Sequence, residues 1–153
     1  MKAPHALVIL FAAMLSACAP SERAEGERVT PRGESVAAPT PDEVTIRISF
    51  PMAGQVVQTP IGARFAVELI GVPTAGYVWA PAAVPEFIAP LGERGGPTTE
   101  AQRQPGFTGG SHWEVFVFET RAAGRGDLRF EQRRPWESGE PPAQTFAVTI
   151  EAR

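Results

Sequence analysis

The chain has 153 residues, a net charge of −3 from fourteen basic and seventeen acidic residues, and one cysteine. That length suits one domain with attachments, and a lone cysteine excludes an internal disulfide. The acidic balance excludes a broad electrostatic attraction for nucleic acid, so no nucleic-acid partner is expected.

The chain opens "MKAPHALVILFAAMLSAC", with Lys2 at the start, an apolar run over residues 6–15, and small residues before Cys18. This is the layout of a secretory signal, and it is too short for a membrane helix with flanks. "LSAC" resembles a bacterial lipobox, which implies that residues 1–17 are removed and that Cys18 carries lipid. The alternative is an ordinary signal peptide that happens to contain a cysteine. Two or three acyl chains hold a protein firmly to a membrane where one is marginal. Removal of residues 1–17 takes away Lys2 and leaves thirteen arginines against seventeen acidic residues, a net charge of −4.

Residues 19–43, "APSERAEGERVTPRGESVAAPTPDE", are rich in Pro, Glu, Arg and Ser and lack apolar periodicity. Such a segment buries too little to offset its ordering entropy, so 18–43 reads as the lipidated cysteine and a flexible tether. Residues 44–153 then form the folded domain.

Within it, period-two alternation dominates. "TIRISF" places Ile46, Ile48 and Phe50 on one face, and "RFAVELI" does the same with Phe65, Val67 and Leu69. "DLRFE" pairs Leu128 with Phe130, and "QTFAVTIEA" aligns Phe146, Val148 and Ile150. "HWEVFVFET" is apolar on both faces, so that strand is central or has its second face covered by a loop. "AVPEFIAPLG" carries prolines at 85 and 90, follows Pro81 and reads as a loop with a short strand at best; the placement of 80–105 does not follow from pattern. Short strands between Gly/Pro turns predict an all-β, immunoglobulin-like β-sandwich. Each large inward side chain contributes roughly 1.5–3 kcal/mol, so a dozen suffice for a core without disulfides.

Three connections stand out. Residues 71–79, "GVPTAGYVW", have a dihedral fixed by Pro73, Thr74 and Ala75 at the tip, and Gly76 able to turn left-handed before Tyr77. This is either a plain strand connection or a pre-shaped tip for close approach to a partner. Residues 104–113, "QPGFTGGSHW", present Phe107 and, at Gly109 and Gly110, backbone open to direct reading; the alternative is the end of a long disordered connection. In "RRPWESGEPP", Arg134, Pro135 and Trp136 join residue types that dominate interface hot spots to a stiff presentation. The alternative folds Trp136 back over the sandwich end with Arg134 stacked on it. The first and third connections correspond to the B–C and F–G loops of an immunoglobulin-like sandwich, which emerge at the same end.

Catalysis is disfavoured. Beyond the signal, His112 is the sole histidine, and neither Ser111 nor Ser138 has the partners that assemble a base and a nucleophile. No metal-ligand spacing is present, and neither metal nor cofactor is expected.

The three loops together resemble those of the chagasin family of inhibitors of papain-like cysteine peptidases. That family's first loop reads Asn-Pro-Thr-Thr-Gly, then an aromatic and a Trp, similar to Val72, Pro73, Thr74, Ala75, Gly76, Tyr77, Val78 and Trp79. Its second is glycine-rich before a strand, as in residues 106–118. Its third is Arg-Pro-Trp, as in Arg134, Pro135 and Trp136, and "AAGRGDLRFEQ" is similar to its glycine-led start of a strand. The resemblance covers residues 44–153. It implies an immunoglobulin-like sandwich that acts without chemistry and as a monomer. Loops at 71–77, 104–112 and 133–138 would occlude the cleft of a papain-like cysteine peptidase. Thr74 would lie near the catalytic thiolate–imidazolium pair, the glycine-rich loop on the non-primed side and Trp136 on an aromatic primed surface. Two departures weaken the expectation. Val72 stands where an Asn would brace the turn, and Ala75 where a second Thr is usual; each is worth about 0.5–1.5 kcal/mol if the missing bond was net favourable.

With Cys18 acylated and Ala19 following it, the expected location is the periplasmic side of a Gram-negative outer membrane. A competing expectation is an envelope structural or adhesion lipoprotein that uses the same loops on a non-protease partner. A carbohydrate-binding module is a weaker rival, since few carboxylates and amides surround Trp136.

Overall fold

A computed structural model describes residues 34–137 and 139–153. The expected signal peptide at 1–17, the expected lipidation site Cys18, the connection 19–33 and Ser138 of the third loop lie outside the described residues. The chain folds as two four-stranded sheets packed face to face, the immunoglobulin-like sandwich expected from the alternation. The strands are β1 (Ile46–Ser49), β2 (Val56–Thr59), β3 (Arg64–Gly71), β4 (Val78–Ala83), β5 (Ile88–Pro97), β6 (His112–Thr120), β7 (Gly124–Arg133) and β8 (Gln144–Ala152). One sheet has the order β1-β3-β6-β5 and the other β2-β8-β7-β4. β1 runs parallel to β3 and β2 parallel to β8, while the remaining pairs are antiparallel.

The core is made by the inward positions of the alternating strands. Ile48, Phe65, Val67, Leu69, Leu128, Phe130, Phe146, Val148 and Ile150 are all sealed from solvent. Aromatic rings join the sheets, with Phe116 and Phe130 centred 4.8 Å apart and Phe118 and Phe130 6.2 Å apart. Phe50 departs from the expected face alternation. It begins a 3-10 turn after β1 and stays half exposed while its ring leans on Trp79 and Phe146.

β8 lies between β2 and β7 and supplies three of these core residues. Removing residues 144–153 should therefore abolish cooperative unfolding of the domain, as read by circular dichroism on heating. Retention of a sigmoidal transition would contradict the placement of this strand.

β6 satisfies both readings of its two-sided sequence. It lies inside its sheet between β3 and β5; Phe116 and Phe118 face the main core, while Val115 and Val117 pack outward with Ala66 and Val44. The outer cover comes from residues 34–44, which the composition assigned mostly to the tether. Ala38 and Trp113 border this second cluster, and Thr40 is buried with its hydroxyl donating to the Glu68 carboxylate.

The larger difference concerns residues 80–105. Their placement does not follow from pattern, and residues 83–92 within them are not a loop with a short strand at best: β4 runs on to Ala83, and β5 is a ten-residue strand from Ile88. Proline is tolerated because both are edge strands, each with an irregularity in register, between Pro81 and Ala83 and between Pro90 and Gly92. There a missing N–H interrupts no central ladder. The turn joining β4 to β5 lays Phe87 over Gly124, where a side chain would collide, and Pro85 over Gly126, where one would be crowded. That is a packing reason for the glycines at the start of β7.

Candidate functional site

The sheets bring three connections to one end. β3 finishes at Gly71, β6 begins opposite it at His112, and β5 finishes at Pro97 beside His112. On the other sheet β4 begins at Val78 opposite the last residue of β7, Arg133.

The first connection is a closed turn. Val72 and Tyr77 exchange both backbone bonds, with N–O distances of 3.0 and 3.2 Å. Between them Pro73–Ala75 form a 3-10 turn that Gly76 ends at φ +83°, a left-handed conformation that disfavours any side chain. Thr74 and Ala75 are exposed at the tip. Because Ala75 and Gly76 donate to the carbonyls of Val72 and Pro73, the backbone supplies the bracing that the Val72 side chain does not.

The third connection is fastened to the first. Arg134 donates from Nε to the Ala75 carbonyl at 3.0 Å and from Nη1 to the Glu137 carboxylate at 2.8 Å. Its guanidinium lies 4.4 Å from the centre of the Tyr77 ring. The Glu137 hydrogen bond raises the Arg134 pKa further above its ordinary value, so the cation persists. Trp136 sets its six-membered ring against Gly76, and a Cβ on Gly76 would lie 2.6 Å from Trp136 Cζ2. Yet Trp136 remains 68% exposed, so most of its surface is open to a partner. The cation stacks on Tyr77 rather than on Trp136. An open cleft of about 480 Å³ lies beside this pair, lined by Tyr77, Arg133, Arg134, Glu137, Glu140 and Pro141 among others.

The second connection is ordered rather than the end of a disordered run. Gly106, Gly109 and Gly110 have φ of +81°, +85° and +90°, and Phe107 is half exposed at the turn. Gln102 ties the two stems together. Its Oε1 accepts from the backbone N–H of Thr98 and Thr99, and its Nε2 donates to the Ser111 carbonyl at 2.6 Å. Thr99 and Gln102 form a capping box around a 3-10 turn over Glu100–Arg103. The "TEAQ" spacing of Thr99 and Gln102 carries that signal in the sequence. This loop leaves from the same end as the others, but among the described residues its hydrogen bonds run to its own stems and none to the other two loops.

Glu114 is a further residue that pattern did not reveal. Its carboxylate lies over Gly71, where a Cβ would come within 2.8 Å of Glu114 Cδ, and accepts the Trp79 backbone N–H at 2.8 Å. It thereby fastens the first residues of β4 to β6 across the sandwich. Trp79 adds a bond from Nε1 to the Ile70 carbonyl at 3.0 Å. Burial pushes the Glu114 pKa up from its ordinary 4.5, against the Trp79 bond; Glu93 raises it further and His112 lowers it. The folded state then holds this proton more tightly than the unfolded chain. Stability associated with Glu114 is therefore lost as pH rises from about 4.5 through the raised value. In the Glu114→Gln variant the amide oxygen can still accept from Trp79. Denaturant unfolding from pH 4 to 8 should show wild type losing stability relative to this variant as pH rises; a constant difference would contradict the assignment.

Comparison with known proteins places this geometry. The sequence model of the chagasin family peptidase inhibitor I42 matches residues 58–150, which include all three loops. The cysteine protease inhibitor EhICP2 from Entamoeba histolytica superposes with a TM-score of 0.62 at 15% identity, over 74% of this chain and 100% of that chain. The solution structure of Amebosin gives 0.56 at 20% identity, over 71% and 97%. No curated protein sequence matches significantly. At such identities the two structures establish the sandwich, and the family model establishes descent. With all three loop motifs inside the matched span, the chain belongs to the chagasin family of peptidase inhibitors, and its task is binding rather than catalysis.

Proposed function

We propose that the chain is a reversible inhibitor of papain-like cysteine peptidases, occluding the cleft with the loops at 71–77, 104–112 and 133–138. The observation that carries this reading is the union of the first and third loops. Arg134 holds the carbonyl of the tip residue Ala75 while Trp136 lies on Gly76 and stays 68% exposed. A tip held in this way loses little conformational freedom on binding, and preorganisation is what favours affinity. The turn at Pro73–Ala75 is helical rather than extended, so its peptide bonds would enter the cleft in a pose unlike that of a substrate strand. In this reading Thr74 lies nearest the catalytic pair, Phe107, Gly109 and Gly110 contact the non-primed side, and Trp136 packs on the primed side.

The test is a titration of the full-length protein against papain and a cathepsin-L-like enzyme, following a fluorogenic peptide. Tight reversible inhibition is expected. No inhibition at micromolar protein, with the fold verified by circular dichroism, would reduce the likeness to scaffold and favour an envelope partner.

The same proposal places the protein on lipid at Cys18, at the periplasmic face of the outer membrane. Palmitate labelling and fractionation test this. Label is expected in the membrane fraction and absent from a Cys18→Ser variant, and an unlabelled soluble wild type would overturn it.

A further inference from the structure

A loop with three glycines at positive φ has little intrinsic stiffness, because glycine tolerates many alternative conformations. The order of the loop at 104–111 therefore has to come from its stems. Gln102 supplies part of it, and Gly110 makes room, since a Cβ there would fall 2.8 Å from Gln102 Nε2. The rest comes from residues well before the family-matched span, which begins at residue 58.

Residues 34–36 lie alongside the stem and pair with it through one isolated bridge. Ser35 bridges Thr99, Val36 donates its N–H to the Thr98 carbonyl at 2.9 Å, and the Glu34 carbonyl accepts from Glu100 N–H at 3.0 Å. Trp113, one residue into β6 after the other stem, donates from Nε1 to the Val36 carbonyl at 2.8 Å. Val36 thus touches both stems, the one that leaves β5 and the one that opens β6. From there the segment crosses the sheet. Pro39 lies against Gly96, Thr40 donates to Glu68, and Ala38 and Val44 cover Val115 and Val117.

We propose that residues 34–44 are a positioning strap for the glycine-rich loop, so that the inhibitory surface is completed by chain outside the segment that carries its motifs. The role rests on the inhibitor reading above. The strap does not touch the peptidase; it holds the stems at the separation that presents Phe107, Gly109 and Gly110. Loosening it leaves the core intact and raises the entropy lost when the loop is bound, which shortens the lifetime of the complex.

The experiment uses the full-length protein with two substitutions made separately. Val36→Pro removes the N–H that reaches Thr98, and Trp113→Phe removes the Nε1 donor while keeping an aromatic ring. Inhibition constants and dissociation rates are measured with papain, and amide hydrogen exchange is followed at Gly106, Gly109 and Gly110 and, for the core, at Phe130 and Val148. Each variant should weaken inhibition about tenfold, through faster dissociation, with faster exchange in the loop and unchanged exchange in the core. Wild-type affinity in a variant whose loop amides exchange faster would overturn the proposal, as would unchanged exchange in the loop of both variants. Exchange that rises equally in core and loop would make the segment ordinary packing and also overturn it. A wild type that does not inhibit sinks the inhibitor reading, and the exchange measurement alone then decides whether the strap orders the loop.

Discussion

Replacing Trp136 by alanine is expected to weaken inhibition of papain by about thirtyfold or more while leaving the melting temperature within a degree or two. The two halves of that expectation have different origins. A tryptophan presented by a stiff loop and desolvated on binding is a typical hot spot, costing about 2 kcal/mol or more when truncated. The side chain is 68% exposed in the free protein, so its removal costs little packing. What it does touch is Gly76, through the outer atoms of its six-membered ring. A loss below threefold would mean that Trp136 does not anchor the complex. A fall in melting temperature of ten degrees would mean that its contact with the first loop carries more of the fold than its exposure indicates.

Gly76→Ala is expected to do at least as much damage by attacking two loops at once. The residue closes the 3-10 turn at φ +83°, where a Cβ costs roughly 1–2 kcal/mol. The new methyl group would also occupy the space of the indole, 2.6 Å from Trp136 Cζ2, and lift Trp136 away from the tip. The effect should therefore be coupled to Trp136. In the double variant Gly76→Ala with Trp136→Ala, the loss of affinity should fall well short of the sum of the single losses, because the collision disappears with the ring. Only the backbone part of the Gly76 penalty then remains. Additive losses, measured as a double-mutant cycle of inhibition constants, would show that the two loops act independently and that the contact is incidental.

The strands that could be read from the sequence are those buried on one face. β7 and β8 alternate because their inward residues, such as Leu128 and Phe146, meet the opposite sheet while their neighbours meet water. β3 alternates in the same way at Phe65, Val67 and Leu69, although Ala66 between them is buried on the other face. β6 announced a second covered face through Val115 and Val117, but not what covers it. The strap is held by backbone bonds at Val36 and by contacts of Pro39 and Ala38, none of which leaves a periodic trace. β5 was missed for a related reason. Of its ten residues only Ile88 is fully buried, so no alternation marks it, and its prolines and glycines mimic a turn. At the site, the loop motifs were legible because they are local. The bond from Arg134 to Ala75 spans 59 positions and depends on the sheets that carry the two loops, so it had no signature in either stretch. Glu114 was hidden likewise, as one more polar residue in an apolar strand whose partner lies 35 positions away.

The edges of the two sheets bear on how such a protein behaves in a crowd. A free edge strand is a template on which another copy can add, and among the described residues this sandwich has four edge strands. β1 and β2 offer only four residues each, while β4 and β5 are interrupted by Pro81 and Pro90 with their shifts in register. Short or broken edges resist edge-to-edge pairing, the usual first step of β-sheet aggregation. If lipid on Cys18 concentrates the protein on a membrane, neighbouring copies will meet edge against edge far more often than in dilute solution. The prolines that obscured β5 in the sequence are then what keeps those encounters from growing into fibres.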